Sequence, residues 1–188
     1  MNQGFAAAAT NEWVLFLGSD DWIASPKAFS TLFDAIGKCS PSDLLPDLLV
    51  FRGRYVDSSS NLLGRSTKFV ANSYLDSNSY RRALFLGQTP PHQCTIFGPG
   101  ARRRLDRYSP FFRLSADLFY FLQLSRFSDL SVQAVDFEFV HMSSGGISAR
   151  QRNRRLYEVT SAYLRRFGPF WCIPFSFRYL RRILSFFS

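Results

Sequence analysis

A five-residue apolar run, Trp13–Leu17, is followed at once by a glycine, a serine and two adjacent aspartates, and this junction constrains the fold most. A run of this length without polar residues is typical of a strand that is buried on both faces, as in an α/β protein. In α/β proteins, ligands bind beyond the carboxyl ends of such strands. The run therefore predicts a central strand with Asp20 and Asp21 at its carboxyl end.

The acidic pair itself has two interpretations. Two carboxylates at this place can hold a hard divalent cation, which would neutralise the charge of a diphosphate. Alternatively, one aspartate caps the following helix and its neighbour is simply solvated. The acidic pair alone does not distinguish the cation site from the helix cap, so we turn to the surrounding sequence.

The flanking sequence predicts a helix, a strand, the acidic turn and a second helix, in that order. Residues 4–10 are small and predict a short helix. Ser25 and Pro26 are typical of an N-cap and a first helical position, and apolar residues then recur at helical spacing until Gly37. This order indicates an α/β fold. Strands are further predicted over 48–56, 93–97 and 132–140, and helices over 77–86, 101–108, 115–127 and 158–166.

The composition permits one domain with a sizeable core. The chain has 188 residues, of which 46% are hydrophobic and 20% are charged, and this excludes a disordered or fibrous chain. Its three cysteines are far apart and odd in number, which favours a reducing compartment over a disulfide framework or a zinc site. The sequence has no apolar run of about 20 residues, so we expect no helix that spans a bilayer.

Four blocks of residues, arriving in the same order, resemble the motifs of family 2 glycosyltransferases of the GT-A fold. The first block has NQG at 2–4, AAAA at 6–9 and EWVLFLGSDD at 12–21. The other blocks are PHQCTIF at 91–97, FRLSADL at 112–118 and GGIS at 145–148. The relatives that this resemblance implies are bacterial transferases that build capsule, exopolysaccharide or O-antigen.

The resemblance also implies roles for individual residues. Asp21 would bind a divalent metal, Mn²⁺ or Mg²⁺, on the diphosphate of a nucleotide sugar, and Asp20 would lie beside the ribose or share that metal. Asp117 would be the general base that deprotonates the acceptor hydroxyl, because family 2 enzymes invert the anomeric centre. The base and the metal should share one cleft, roughly 10 Å apart, since the sugar ring sits between them. His92 and Gln93 would line the acceptor side.

Each of these residues also has a structural interpretation. Asp117 falls in the first turn of a predicted helix, where the helix dipole favours a carboxylate. His92 and Gln93 could instead be a hydrogen-bonded polar pair on a strand. His141 is a further candidate metal ligand, although a lone histidine is more often structural.

The resemblance implies a partial α/β fold of the GT-A, Rossmann-like type. It also implies an N-terminally truncated sequence, which would lack the family's first βαβ unit. It implies an enzyme, an inverting glycosyltransferase. That enzyme would move a sugar from a nucleotide-sugar donor to a hydroxyl of a saccharide or lipid-linked acceptor during the synthesis of bacterial surface polysaccharide. The alternative is a non-catalytic truncated remnant or a membrane-associated accessory protein.

The positive charge is concentrated after residue 150. Residues 150–188 contain nine arginines and one acid, whereas residues 1–149 have a net charge of only +1. We therefore divide the chain into a partial glycosyltransferase domain, residues 1–150, and a basic, aromatic, amphipathic tail, residues 151–188.

The end of this tail predicts an amphipathic helix over residues 175–187. One side of the helix would carry arginines 178, 181 and 182, and the other would carry Tyr179, Ile183, Phe186 and Phe187. This pattern is typical of a helix that lies on anionic lipid, so we expect a cytoplasmic protein that is peripheral on the inner face of the plasma membrane. The alternative is an ordinary helix that packs on the domain. We expect no nucleic-acid partner, because no RRM, KH, helix-turn-helix or zinc-finger pattern is present.

Overall fold

The computed structural model describes residues 1–37, 45–57, 59, 61–70, 73–143 and 151–184, and these form a seven-stranded sheet covered by helices. The strands are β1 (Val14–Leu15), β2 (Trp22–Ile23), β3 (Leu48–Val56), β4 (Leu62–Thr67), β5 (Ser73–Leu75), β6 (Thr95–Phe97) and β7 (Val132–Ser143). The helices are α1 (Asn2–Ala7), α2 (Lys27–Gly37), α3 (Ser77–Phe85), α4 (Pro99–Arg104), α5 (Ala116–Leu124), α6 (Arg152–Phe167) and α7 (Cys172–Leu184). Short 3₁₀ segments are found at His92–Cys94 and Gly168–Trp171.

The acidic turn lies beside the end of β7 because β2, which directly follows the turn, pairs antiparallel with β7 (Trp22 opposite His141). The sheet runs β1-β6-β3-β7-β2, with β4 added to β3 and β5 added to β7. β3 and β7 are parallel, and β6 is antiparallel to both β1 and β3, so β1 runs in the same direction as β3 and β7. The carboxyl ends of these three strands therefore lie at one edge of the sheet.

The expectation of a central strand over Trp13–Leu17 is wrong. The strand is only Val14–Leu15, and β1 stands at the end of the strand order, where the described residues pair it with β6 alone. The run is apolar because both faces of β1 are covered. Val14 and Phe16 pack into the core on one face, and Trp13 and Leu15 pack into the core on the other.

Alternating side chains of β3 divide the core into two clusters, one on each face of the sheet. Leu48 and Val50 lie in one cluster, and Leu49 and Phe51 lie in the other. This alternation is the period of two that a strand imposes on its side chains. The first face carries residues of α1, α3, α5 and α6, and the second face carries α2. Helices on both faces make an α/β fold, as the sequence predicted.

The C-terminal helices join the same core as the rest of the chain. Val159, Ala162 and Tyr163 of α6 are buried in the cluster that also contains Leu118 and Leu122 of α5. Side chains from both sides of position 150 therefore pack together. The GGIS block at 145–148 lies outside the described residues. No helix in the described ranges is both long and apolar enough to cross a membrane.

The helix predicted over 175–187 is present as α7, Cys172–Leu184, and positions 185–187 lie outside the described residues. Its sides differ from the expectation. Tyr179 packs against the core, and Arg178 on the same side donates to Thr89 Oγ1 at 2.5 Å. Arg178 and Tyr179 therefore both face the domain. The helix α7 also lies close to the turn after α3, since a Cβ on Gly87 would be 2.4 Å from the backbone nitrogen of Arg178.

Arg102 of α4 fastens α1 to the rest of the molecule. Its guanidinium, buried at 9% exposure, donates to the carbonyl oxygens of Phe5 and Ala8 at 3.1 and 2.7 Å. It also donates to the carbonyl oxygens of Ala9 and Glu12 at 2.8 and 2.9 Å. The last carbonyls of a helix have no partner within the helix, so one side chain here satisfies the end of α1 and holds the segment that leads into β1.

We predict that Arg102→Met lowers the free energy of unfolding by about 3 kcal/mol, because four carbonyl groups lose a charged hydrogen-bond donor. Urea denaturation followed by circular dichroism measures this change. The matched control is Arg103→Met, because Arg103 is the exposed neighbour in the same helix, and we expect a change within about 0.5 kcal/mol. Equal losses in the free energy of unfolding from the two substitutions would show that the hydrogen bonds from Arg102 to the four carbonyl groups do not stabilise the fold.

Candidate functional site

Asp21 directly precedes β2, and two backbone N–H groups hold its carboxylate. The Gly18 N–H donates to Asp21 Oδ2 at 3.0 Å, and the Ser143 N–H, at the last position of β7, donates to Oδ1 at 3.1 Å. Each carboxylate oxygen thus accepts one hydrogen bond and keeps a further lone pair for another ligand. Asp20, the neighbour, is exposed.

The two carboxylates of the acidic pair converge around Gly18. A Cβ at this glycine would lie 2.7 Å from Asp21 Oδ2 and 3.1 Å from Asp20 Oδ1. A side chain at position 18 would therefore displace at least one carboxylate, which explains why glycine ends the apolar run. The sequence predicted this acidic turn, and the structure adds that both carboxylates lie next to the same backbone position, Gly18.

This arrangement fits a divalent cation that a ligand completes. Mg²⁺ is commonly bound through one or two carboxylates together with phosphate oxygens and water. Across the described ranges, no group of three or more His, Cys, Asp and Glu side chains could enclose a metal ion. Asp20 and Asp21 would therefore supply the protein's oxygens, and a diphosphate and water would supply the others.

His141 is held in place by Glu138 and Trp22. Its Nε2 lies 2.8 Å from Glu138 Oε1, and its ring meets the Trp22 ring edge-on at 5.8 Å. The Glu138 carboxylate engages Nε2, so a metal would have to use the other ring nitrogen, Nδ1. Arg54 Nε donates to the same carboxylate at 2.8 Å.

His92 lies between Phe16 and Tyr108. Its Nε2 is 2.9 Å from the Tyr108 hydroxyl, and its ring stacks on Phe16 with centroids 5.6 Å apart. Phe16 is two residues before Gly18, so this stacking ties His92 to the strand that bears the acidic turn. Gln93 follows His92 in the same 3₁₀ turn and is half-buried.

Asp117 is half-buried in the first turn of α5 and acts electrostatically on His92 and Tyr108. Burial lowers the pKa of His92, and the negative charge of Asp117 opposes that decrease. Burial raises the pKa of Tyr108, and Asp117 adds to the increase. The structure therefore joins His92 and Tyr108 directly and leaves both within electrostatic range of Asp117. The separation of roughly 10 Å between Asp117 and Asp21 stays a prediction.

Glu158 of α6, which the sequence analysis missed, caps the helix that carries Asp117. Its Oε2 accepts hydrogen bonds from three consecutive backbone N–H groups, those of Arg113 at 3.1 Å, Leu114 at 2.7 Å and Ser115 at 2.9 Å. Ser115 occupies the N-cap position, but its side chain makes no capping hydrogen bond. A carboxylate at this place also interacts favourably with the helix dipole.

The cap is itself held in a charged form. Burial tends to raise the pKa of Glu158, but the backbone donors and the Nε of Arg154, at 3.2 Å, outweigh it and leave the pKa below its ordinary value of 4.5. One signal in the sequence could have found this residue. Glu158 is the sole acid among residues 150–188, and a buried lone carboxylate needs several donors.

Sequence comparisons with protein-family models and with curated proteins give no match. Structure comparison finds TarS from S. aureus. TarS 1–349 in complex with UDP-GlcNAc matches with a TM-score of 0.60 and 14% identity, over 87% of this chain and 44% of that one. Another structure of TarS 1–349 matches with a TM-score of 0.56 and 14% identity, over 98% of this chain and 50% of that one.

This likeness shows the fold. The chain has a partial GT-A-like nucleotide-sugar transferase fold, as the sequence resemblance implied, and it spans about half the length of the TarS 1–349 chain or less.

We predict that Glu158→Gln lowers the free energy of unfolding by about 2 kcal/mol at pH 7, because a charged cap becomes a neutral one. The pKa of Glu158 is lowered in the folded state, so its contribution is complete above pH 4.5 and is lost as the pH falls further. The difference between wild type and variant should therefore shrink below that pH. Urea denaturation at a series of pH values measures it.

The control for this experiment is Asp34→Asn, which changes an exposed carboxylate on α2. We expect it to stay within about 0.5 kcal/mol of wild type at every pH. A Glu158→Gln deficit that is constant from pH 7 to pH 3 would contradict the charged cap.

Proposed function

We propose that this protein is an inverting, metal-dependent family 2 glycosyltransferase. It moves a sugar from a nucleotide-sugar donor to a hydroxyl of a saccharide or lipid-linked acceptor, in the synthesis of bacterial surface polysaccharide. The observation that carries the proposal is the convergence of Asp20 and Asp21 around Gly18, at the carboxyl edge of a GT-A-like sheet. TarS binds UDP-GlcNAc and UDP in its crystal structures, so UDP-GlcNAc is the first donor to test.

The donor side of the site would hold the diphosphate through a cation. Asp20 and Asp21 would bind Mn²⁺ or Mg²⁺, and that ion would neutralise the charge on the departing diphosphate. The N–H groups of Gly18 and Ser143 orient the Asp21 carboxylate and leave its other lone pairs free. Because these donors belong to the backbone, the orientation costs little reorganisation when the donor binds.

The acceptor side would be built around Asp117. In an inverting transfer, the acceptor oxygen attacks the anomeric carbon on the face opposite the diphosphate, and its proton passes to a carboxylate. Asp117 would accept that proton at its carboxylate. His92, whose pKa burial lowers, stays largely uncharged at pH 7 and, with Gln93, would contact the sugar through neutral hydrogen bonds. Glu158 keeps the first turn of α5 in place.

A second candidate function is that of a non-catalytic accessory protein. The observation that favours it is the edge of β1, which pairs only with β6 within the described part of the sheet. An unpaired edge can accept a strand from another chain.

We place the protein in the cytoplasm. Cys172 is a free and exposed cysteine on α7, and Cys94 is free and buried. Free thiols on a surface persist in a reducing compartment and are oxidised outside it.

We predict that Mn²⁺ strengthens the binding of UDP-GlcNAc to the wild-type chain and that Asp21→Asn removes this increase, with Kd at least about tenfold higher, because a ligand to the cation is lost. Isothermal titration with and without Mn²⁺ measures it. Asp34→Asn, which changes an exposed carboxylate on α2, is the control and should bind as the wild type does.

We predict that Asp117→Asn leaves the Kd for UDP-GlcNAc within about twofold and slows transfer by about 100-fold or more, because only the proton acceptor is removed. Release of UDP in the presence of a saccharide acceptor measures transfer. Transfer by Asp117→Asn at the wild-type rate would overturn the base assignment. Metal-dependent donor binding by the wild type with no transfer to any acceptor would favour the accessory function.

A further inference from the structure

The C-terminal segment exposes a row of large apolar side chains. Phe170 is 65% exposed, Ile173 41%, Phe177 37% and Leu180 51%. The last three stand at i, i+4 and i+7 of α7, so they share one face of that helix. We call these four residues the apolar strip. It borders a cavity of about 520 Å³ whose lining, among the described residues, belongs to α7.

The strip is not needed to hold α7 on the domain, because a different face does that. Trp171, Phe175 and Tyr179 pack against the core cluster that contains α5 and α6. Rings of Phe175 and Tyr179 lie 4.8 Å apart, and Trp171 meets Phe175 edge-on at 5.4 Å. The helix is therefore anchored on one side, and its second apolar side is presented outward in a fixed orientation.

Three arginines from different elements gather beside this segment around Ser125, the residue that ends α5. Arg81 of α3 donates through Nε to the Ser125 carbonyl oxygen at 3.2 Å. Arg166 of α6 donates through Nε to Ser125 Oγ at 2.8 Å and through a terminal nitrogen to the carbonyl oxygen at 3.2 Å. Arg126 follows Ser125 directly and donates to the Arg165 carbonyl oxygen at 3.0 Å.

This arginine cluster, Arg81, Arg126 and Arg166, has no carboxylate to balance it. None of the three forms an ion pair with an acid of the described chain. Burial lowers the pKa of Arg166, and the positive charges of Arg81 and Arg126 lower it further. The carbonyl groups at the end of α5 carry only partial charges. A bound anion would therefore relieve the repulsion among the three guanidinium groups.

The arginine cluster lies near the Phe170 end of the apolar strip. Arg166 is four residues before Phe170, which limits their Cα separation to about 14 Å. The sequence from Val159 to Ser188 contains five arginines and no acid. Apolar rings next to uncompensated arginines match the acyl boundary and the phosphate layer of an anionic bilayer.

We propose that this protein docks on an anionic phospholipid membrane through the apolar strip, with the arginine cluster binding lipid phosphates. The docking face differs from the one that the sequence pattern suggested, since Arg178 and Tyr179 are turned toward the domain. A second copy of the chain suits the surface less well, because a twofold interface would bring two arginine clusters toward each other. The proposal is independent of the glycosyltransferase activity.

The test is co-sedimentation of the full chain with vesicles of phosphatidylcholine, with or without phosphatidylglycerol. The wild type should bind only the anionic vesicles, and added salt should weaken the binding without abolishing it, since the strip is not screened. Phe170→Ser combined with Phe177→Ser should lower the partition coefficient at least about tenfold. Arg126→Gln, at an exposed arginine whose loss leaves the Ser125 contacts intact, should lower it about fivefold.

Matched controls separate docking from general effects. Phe33→Ser removes a phenylalanine of 67% exposure from α2, and Arg107→Gln removes an arginine of 72% side-chain exposure from the loop after α4. Both should bind anionic vesicles as the wild type does. All variants should keep the wild-type melting temperature within about 2 °C, because each change is at the surface.

Three results would overturn the proposal. The first is no binding of the wild type to anionic vesicles, and the second is equal binding by the wild type and the Phe170→Ser, Phe177→Ser variant. The third is a dimer, seen by sedimentation velocity without vesicles, that this double substitution dissociates, which would assign the strip to self-association. UDP-GlcNAc binding should be unchanged in every variant, so failure of docking and failure of the proposed activity are distinguishable.

Discussion

The parallel pairing of β3 with β7 is the contact on which the rest of the structure depends. Its register runs from Leu48 opposite Val132 to Val56 opposite Ser143, so the strands are paired along nearly their whole length. Because the partners are more than 80 residues apart in sequence, the pairing fixes the chain's long-range course at once. It divides the core into its two faces, and it delivers the Ser143 N–H to the Asp21 carboxylate.

The helix α6 connects the two surfaces to which we assign functions. In its first half, Glu158 caps α5 two residues before Asp117, and near its end, Arg166 joins the arginine cluster. These two residues are eight positions apart, or about 12 Å along a helix axis. A buried core of Val159, Ala162 and Tyr163 holds α6 between them. The helix α6 thus contacts both the helix that bears Asp117 and the arginine cluster of the proposed membrane face, which would suit a lipid-linked acceptor.

Apolar periodicity and turn residues in the sequence were enough to predict the helices and strands that are long or have clear ends. The strand over 48–56 and the end of α2 at Gly37 are where the sequence placed them, because apolar periodicity and turn residues act within a few positions. The short strands β2 and β4 were missed because two to six residues show too little alternation, and they form only by pairing with β7 and β3. The prediction of a central strand over Trp13–Leu17 failed for a different reason. Apolar residues indicate that both faces of a strand are covered, but they do not indicate whether both of its edges are paired with other strands.

The sequence by itself determined where the candidate site residues stand in the chain: the acidic pair lies between β1 and β2, Asp117 in the first turn of α5, and His92 just before β6. Only the tertiary structure shows which distant side chains hold the segments that lead to these residues. Arg102 reaches back more than 90 residues to the end of α1, and Glu158 reaches 43 residues to the N–H of Ser115. It also decided which side of α7 is free, because helical periodicity defines the two faces of an amphipathic helix, whereas the shape of the surface beneath selects the one that is buried.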